Sequence, residues 1–332
     1  MRCCPSEALS ARDYSEPVPE NRLSSSGLAL AVSAYGLWGF LPLYFLLLSP
    51  SGALEIVAWR VVLSLVFCLA LLFFTRAFPA FAAVLRDRRI MLLSLVAGIL
   101  IAINWLVYVY ASTTGFVVEA ALGYFINPIV SIALGVLFLR ERLRIGQWVA
   151  VGISVVAVLV LAIGYGQPPY ISLALAFSFG LYGFLKNRMS GRVSAVGGLT
   201  LETAWLVPAA IGALVWVQLA GGGITAGQEG LAHGVLLSMA GVVTAVPLLL
   251  FAAAARRLPL SVMGFIQYFA PLLQFIFGVA VLHEPMPLER WIGFALVWLA
   301  LIVLSTEAVV QRRRAIRERR AVPLDTAPIQ TI

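Results

Sequence analysis

The segment Tyr124–Glu141, YFINPIVSIALGVLFLRE, returns 143 residues later as Gln267–Glu284, QYFAPLLQFIFGVAVLHE. Pro128 pairs with Pro271, Gly135 with Gly278, Leu139 with Leu282, Glu141 with Glu284 and, a little further on, Trp148 with Trp291. The chain is therefore a duplication. Positive charge did not survive in both copies: Arg140, Arg142 and Arg144 stand where the second copy has His283, Pro285 and Pro287. A second match, YGLWGFL at Tyr35–Leu41 against FGLYGFL at Phe179–Leu185, has nearly the same offset.

Composition places both copies in a bilayer. With 332 residues, 61% hydrophobic, 11% charged and a mean hydropathy of +0.98, the chain has too little polar surface to cover a water-soluble globule. A hydrocarbon core about 30 Å thick needs roughly 20 apolar residues per helix. Ten such segments can be read, near 27–48, 54–74, 90–111, 115–139, 147–164, 169–186, 197–219, 231–253, 259–282 and 288–310. The expected fold is all-α: ten transmembrane helices in two five-helix repeats, 27–164 and 165–310. A disordered, proline-containing tail is expected at 1–26 and a basic tail at 311–332.

The arginines supply the topology, because cytoplasmic loops retain Lys and Arg. Of 23 basic residues, all but Arg60 and Arg290 fall in the two tails or in the loops after the second, fourth, sixth and eighth segments. SPSGA, STTG, GYGQPP and AGGGITAGQEG, the intervening loops, carry none. Both termini are then cytoplasmic, and five helices per repeat, an odd number, turn the second copy upside down. RERLR ends its helix inside the cell, whereas HEPMP ends the corresponding helix outside. The net charge of +8 is spread over loops and tails, which argues against nucleic acid and for contact with membrane lipids.

Inverted repeats are a recurrent design of secondary transporters, but the informative residues are polar groups at membrane depth, which face a partner or a wet cavity. Arg60 and Glu119 are expected on the outer side as an ion pair that either lines an outer cavity or only holds helices together, with Asn104 nearby. Glu55 reads as a solvated helix-start residue. Glu202 either pairs with Lys186 or faces substrate; unpaired in a dry pocket it would be a proton carrier. Pro128 and Pro271 each remove a backbone bond within a helix, so Tyr124, Asn127, Gln267 and Tyr268 before them, and Gln274 one turn on, are candidate cavity residues. Tyr35, Trp38 and Tyr182 lie in glycine-rich turns, as packing aromatics or as stacking surfaces for a substrate. Glu141 and Glu284 read as end anchors.

No catalytic constellation, metal-ligand spacing or phosphate loop is visible, and no cofactor is implied. Without a nucleotide-binding motif, transport must draw on an ion or substrate gradient.

Several words of the sequence resemble a known family. Tyr35-Gly-Leu-Trp-Gly-Phe, Asn104-Trp-Leu, Glu119-Ala-Ala-Leu-Gly-Tyr-Phe-Ile-Asn-Pro128 and Leu201-Glu-Thr203 are similar to the RarD branch of the EamA-like drug/metabolite transporters. So are Thr244-Ala-Val-Pro-Leu-Leu-Leu-Phe-Ala-Ala-Ala-Ala-Arg256 and Gln267-Tyr-Phe-Ala-Pro271. The resemblance covers about 27–306. It implies a multi-pass exporter of the bacterial inner membrane, linked to chloramphenicol sensitivity. Relatives often carry Lys and His where this chain has Leu46 and Trp59, so no role of those residues is carried over.

The expected function is export of a small metabolite or amphipathic drug by alternating access, with protons as a candidate coupling ion. The aromatic and amide-rich lining suggests a neutral or zwitterionic solute rather than a highly charged one. An uptake permease of the same fold is the alternative. A membrane-embedded lipid-modifying enzyme would need a catalytic cluster that the short outer loops do not offer.

Overall fold

The computed structural model describes residues 25–139, 145–165, 168–189, 191–255, 257–258, 262–263 and 266–321. The expected N-terminal tail up to residue 24, the RERLR turn with Glu141, and the chain beyond Ala321 lie outside the described residues. Within them the structure is helical, as a backbone in lipid requires: each N–H and C=O must be satisfied within its own segment.

The first expected span is two helices, α1 (Ser25–Gly39) and α2 (Leu41–Leu46), interrupted at Phe40 just before Pro42. α3 covers Ala53–Phe74. A short surface helix, α4 (Phe78–Val84), leads to α5 (Arg88–Thr113), whose first amides at Arg89 and Ile90 are capped by the Asp87 carboxylate at 3.0 and 3.2 Å. α6 (Val117–Leu139) and α7 (Ile145–Tyr165) complete the first half.

The second half repeats this order. α8 is Tyr170–Met189, and α9 (Ala195–Ala220) is capped by Ser194. α10 (Gly230–Ser238) and α11 (Ala240–Ala255) share one expected span, α12 is Phe269–Ala280 and α13 is Leu288–Ala321. Among the described residues, eight stretches are long and apolar enough to cross a membrane. α8 ends in Lys186 and Arg188, and α12 has only 12 residues among those described. α13 runs past its expected end at 310, because Gln, Arg, Ala and Glu are good helix formers even in water.

Pro271 sits in the first turn of α12, directly after a break: residues 262–263 and 266 are helical, 267–268 form a turn, and the helix resumes at Phe269, where the missing N–H of Pro271 leaves no bond to the turn before it. Pro128 does lie inside α6, and Pro208 and Pro247 likewise interrupt α9 and α11.

The packing is symmetric under exchange of the two halves. α3 packs on α9, α6 on α12 and α7 on α13, each helix against its own counterpart. The remaining large contacts exchange in pairs: α1 with α11 mirrors α8 with α5, and α1 with α12 mirrors α8 with α6. Apolar side chains such as Phe74, Ile163 and Leu219 stand outward, as a lipid-facing surface requires. Two crossings depend on glycine: a Cβ at Gly241 would lie 2.5 Å from the Leu63 carbonyl oxygen, and one at Gly123 2.7 Å from that of Ser172. Backbone cannot move aside as a flexible side chain can.

Gly241→Leu should therefore lower the unfolding temperature of the detergent-purified protein, at a cost of about 1–3 kcal/mol. Gly152→Ala, at a helical position with no atom within 4 Å, should be neutral or slightly stabilising. Equal melting of the two variants would refute the close-approach reading.

Candidate functional site

Arg60 lies seven residues into α3, about 10 Å below the arginine-poor end of the bundle at 1.5 Å per residue. It is 5% exposed. Its Nε donates to Thr244 Oγ1 at 2.7 Å across to α11, and that hydroxyl in turn donates to the Ala240 carbonyl at 2.8 Å. The guanidinium lies 4.3 Å from the Trp105 ring centroid and 5.6 Å from that of Phe45. Nη1 has no hydrogen-bond partner, nor has the hydroxyl of buried Tyr108.

The structure does not bring Arg60 to Glu119. Among the described residues no carboxylate lies within ion-pair distance of Arg60. Glu119 is only two residues into α6 and lines a crevice with Phe116, Pro168, Pro169 and Arg290; Arg290 is the cation acting on it. The energetics allow a guanidinium without a carboxylate. Burying an arginine in the membrane costs about 2.5–3.5 kcal/mol on insertion scales. A hydrogen bond from a charged donor returns about 1.5–3 kcal/mol, and each cation–π contact about 0.5–2 kcal/mol.

Asn104 and Tyr124 join this cluster but are internally satisfied. Asn104 Nδ2 donates to the Leu175 carbonyl at 3.2 Å and to Ser178 Oγ at 3.1 Å on α8, and Oδ1 accepts from the Tyr124 hydroxyl at 3.0 Å. From here a ladder of rings descends through the bundle. Phe45, Tyr108, Tyr124, Phe179 and Tyr182 follow one another at centroid spacings of 6.0, 5.5, 5.8 and 6.0 Å.

The ladder ends at a second charged centre. Tyr182 donates to Glu202 Oε2 at 3.1 Å, and Lys186 Nζ holds Oε1 at 2.7 Å. Glu202 is fully buried while Lys186 is 31% exposed. Of the two expected roles the first is realised: Glu202 is paired, so the condition for an unpaired proton carrier is not met. Glu202 is seven residues into α9, as Arg60 is into α3. The two centres thus occupy matching depths at opposite ends of paired helices.

Glu55 is buried rather than solvated, a correction with a clear cause. The loop after α9 folds over it, so that its carboxylate accepts from the Thr225 amide (2.9 Å), the Thr225 hydroxyl (3.0 Å) and the Ala226 amide (3.3 Å). Ser51 Oγ lies 2.6 Å from Thr225 Oγ1 and 3.0 Å from His233 Nε2. His233 Nε2 is also 3.1 Å from the Leu48 carbonyl, which can only accept, so that nitrogen carries the proton. The latch joins the first half of the chain to the second.

The other expected residues are scattered. Tyr35 and Trp38 pack with Phe251, and Gln274 Nε2 ties α12 to the Trp38 carbonyl at 3.2 Å. Asn127 Oδ1 faces Gly180 on α8 without a partner. Gln267 hydrogen-bonds Tyr268, whose ring stacks on Phe125 beside an apolar groove that reaches Trp298. Glu284 is an end anchor, accepting from the Val117 and Val118 amides at 2.6 and 3.0 Å at the start of α6. Burial raises its carboxyl above the usual range, an effect those amides oppose. Thr244, Trp105, Tyr108 and Phe45 were missed. Trp105 and Thr244 stand in the family words Asn104-Trp-Leu and Thr244-Ala-Val-Pro, whereas Tyr108 and Phe45 carry no sequence signal beyond helical spacing.

The sequence pattern of the EamA-like transporter family matches residues 25–163. Protein RarD of Streptomyces exfoliatus is 49% identical over 290 residues, 87% of this chain and 91% of that protein. The uncharacterized transporter YojE of Bacillus subtilis (strain 168) is 43% identical over 87% of this chain and 97% of its own length. The chain belongs to the EamA-like transporter family, in its RarD branch. A crystal structure with 18% identity shares the fold, with a TM-score of 0.55 over 86% of this chain and 98% of the other. This EamA-like chain is a multi-pass membrane transporter of the bacterial inner membrane.

Removing one partner of the buried pair should expose its cost. Lys186→Met should destabilise the protein by about 3 kcal/mol, and adding Glu202→Gln should recover most of that in a thermal melt. If single and double variants melt alike, the ion pair is not what stabilises this end.

Proposed function

We propose that this EamA-like protein exports a small metabolite or amphipathic drug by alternating access, through a central site formed by Arg60, Trp105, Tyr108, Tyr124 and Thr244. The observation that carries the reading is the position of Arg60: a buried guanidinium from the first half, held by a threonine of the second, with hydrogen-bonding capacity left over. A site shared by both halves is what rocking of one half against the other would alternately expose.

Arginine distribution supports an orientation with the Lys186–Glu202 end in the cytoplasm and the Ser51–Thr225 latch outside. In that orientation the latch closes the outer gate, because it joins the two halves there. The Lys186–Glu202 pair lies within the second half alone and does not oppose their separation at the inner end. Outward direction is supported by the resemblance to RarD proteins. With no ATP-binding motif in the sequence, an ion or substrate gradient is the energy source of this proposal, with protons the candidate coupling ion.

Arg60→Gln and Thr244→Val should each lower transport at least tenfold in vesicles of defined orientation while the protein remains in the membrane. Glu119→Gln, which changes a group in the peripheral crevice, should have a smaller effect. Collapsing the proton gradient should stop net export of the solutes moved by the wild type; unchanged export would remove protons from the proposal. A Ser51→Cys/Thr225→Cys pair should block transport on oxidation and release it on reduction. Full activity of the oxidised pair would refute the outer gate.

A further inference from the structure

The polar groups of the central cluster are not equally available to a ligand. Asn104 spends its amide nitrogen on Leu175 and Ser178 and its oxygen on Tyr124. Thr244 is used on both sides. Gln274 commits its nitrogen to Trp38. Of the amides that suggested a neutral or zwitterionic solute from sequence, Asn104 is structural, whereas Asn127 Oδ1 and Gln274 Oε1 are buried acceptors without partners that lie outside the contacts of Arg60. What remains at the cluster is donor capacity on Arg60 Nη1, which is buried without a partner, and on the buried Tyr108 hydroxyl, which has Ser112 one turn on beside it.

The charge balance points the same way. Three acids near the arginine-poor end are engaged elsewhere: Glu55 by the 225–226 loop, Glu284 by the start of α6, and Glu119 in the crevice with Arg290. Among the described residues the Arg60 guanidinium is met by a hydroxyl dipole and the faces of Trp105 and Phe45, with no carboxylate beside it. A cation brought here would meet repulsion that water does not screen. An anion would gain a charge-assisted hydrogen bond that a neutral isostere cannot make.

Resting on the transport reading above, we propose that the transported solute is an organic anion whose carboxylate or phosphate-ester group is bound by Arg60 Nη1 and the Tyr108 hydroxyl, with its unsaturated or apolar body against the aromatic ladder. Because Nε is committed to Thr244, the guanidinium offers its free end rather than its side. Tyr108 lies between Phe45 and Tyr124 in the ladder, so a headgroup at its hydroxyl leaves the body of the solute facing rings. A single anionic group fits; a second charge would have no counter-ion among the described residues of the cluster.

The test uses the full chain in lipid nanodiscs, titrated calorimetrically with phenylacetate, phenyl phosphate, phenylacetamide and phenethylamine. At least one of the two anions should bind tenfold or more tightly than the amide, and the amine should not compete. The stronger of the two anions identifies the headgroup. Arg60→Gln should abolish anion binding, Arg60→Lys should retain part of it, and Tyr108→Phe, which deletes one hydroxyl, should weaken it threefold to tenfold. The inference is overturned if the amide or amine binds as tightly as the anions, if Arg60→Gln keeps wild-type anion affinity, or if neither anion binds. Movement of the same four compounds in reconstituted vesicles separates the two levels. Protein-dependent passage of phenylacetamide without either anion would sink the anion assignment and leave the transporter reading standing. Anion binding in nanodiscs with no compound transported would support the binding centre and count against the proposed transport role.

Discussion

Water is absent from the hydrocarbon core, so each polar group in this protein must find its partner within the protein. The backbone answers with helices. Carboxylates answer by seeking unpaired amides: Glu284 at the start of α6, and Glu55 at a loop from the opposite half. Glu202 finds Lys186 and Tyr182. The guanidinium of Arg60 is answered only in part, by one hydroxyl and two aromatic faces, and that shortfall marks it out from every other buried charge described.

The exchange symmetry of the two halves explains where these centres lie. Two halves that pack counterpart against counterpart place equivalent positions at equal depth from opposite ends. Arg60 and Glu202 occupy such positions, seven residues into α3 and α9, yet they carry opposite charges and differ in satisfaction. The asymmetry has a structural cause. α8 brings Lys186 beside Glu202, whereas the aromatic residues of α2 and α5 surround Arg60. Between them the rings from Phe45 to Tyr182 form a continuous apolar path in which hydroxyls recur, a suitable surface for a solute that is mostly unsaturated carbon.

Helix contacts at glycine fix how closely these elements approach. Gly241 sets α11 directly on the α3 backbone, three residues before Thr244 takes hold of Arg60. The repeated glycine of the opening motif, Gly278, has the same duty against Val118 on α6, where a Cβ would come within 2.6 Å of a side-chain carbon. The Glu284 anchor is at that contact as well, so two of the letters shared by the two copies act at one helix crossing.

The sequence by itself determined the membrane class and the all-helical fold, because hydrophobic length is a local and additive property. It also named Lys186 as a partner for Glu202 and Glu284 as an end anchor, since each reading needed only helix ends and short spacing. Tertiary structure decided the rest. Arg60 takes Thr244, 184 residues away, in place of Glu119, and Glu55 is covered by a loop 170 residues distant. Such pairings depend on which helix faces which, and a linear pattern of apolar residues gives the depth of a side chain in the bilayer but not the direction in which it points.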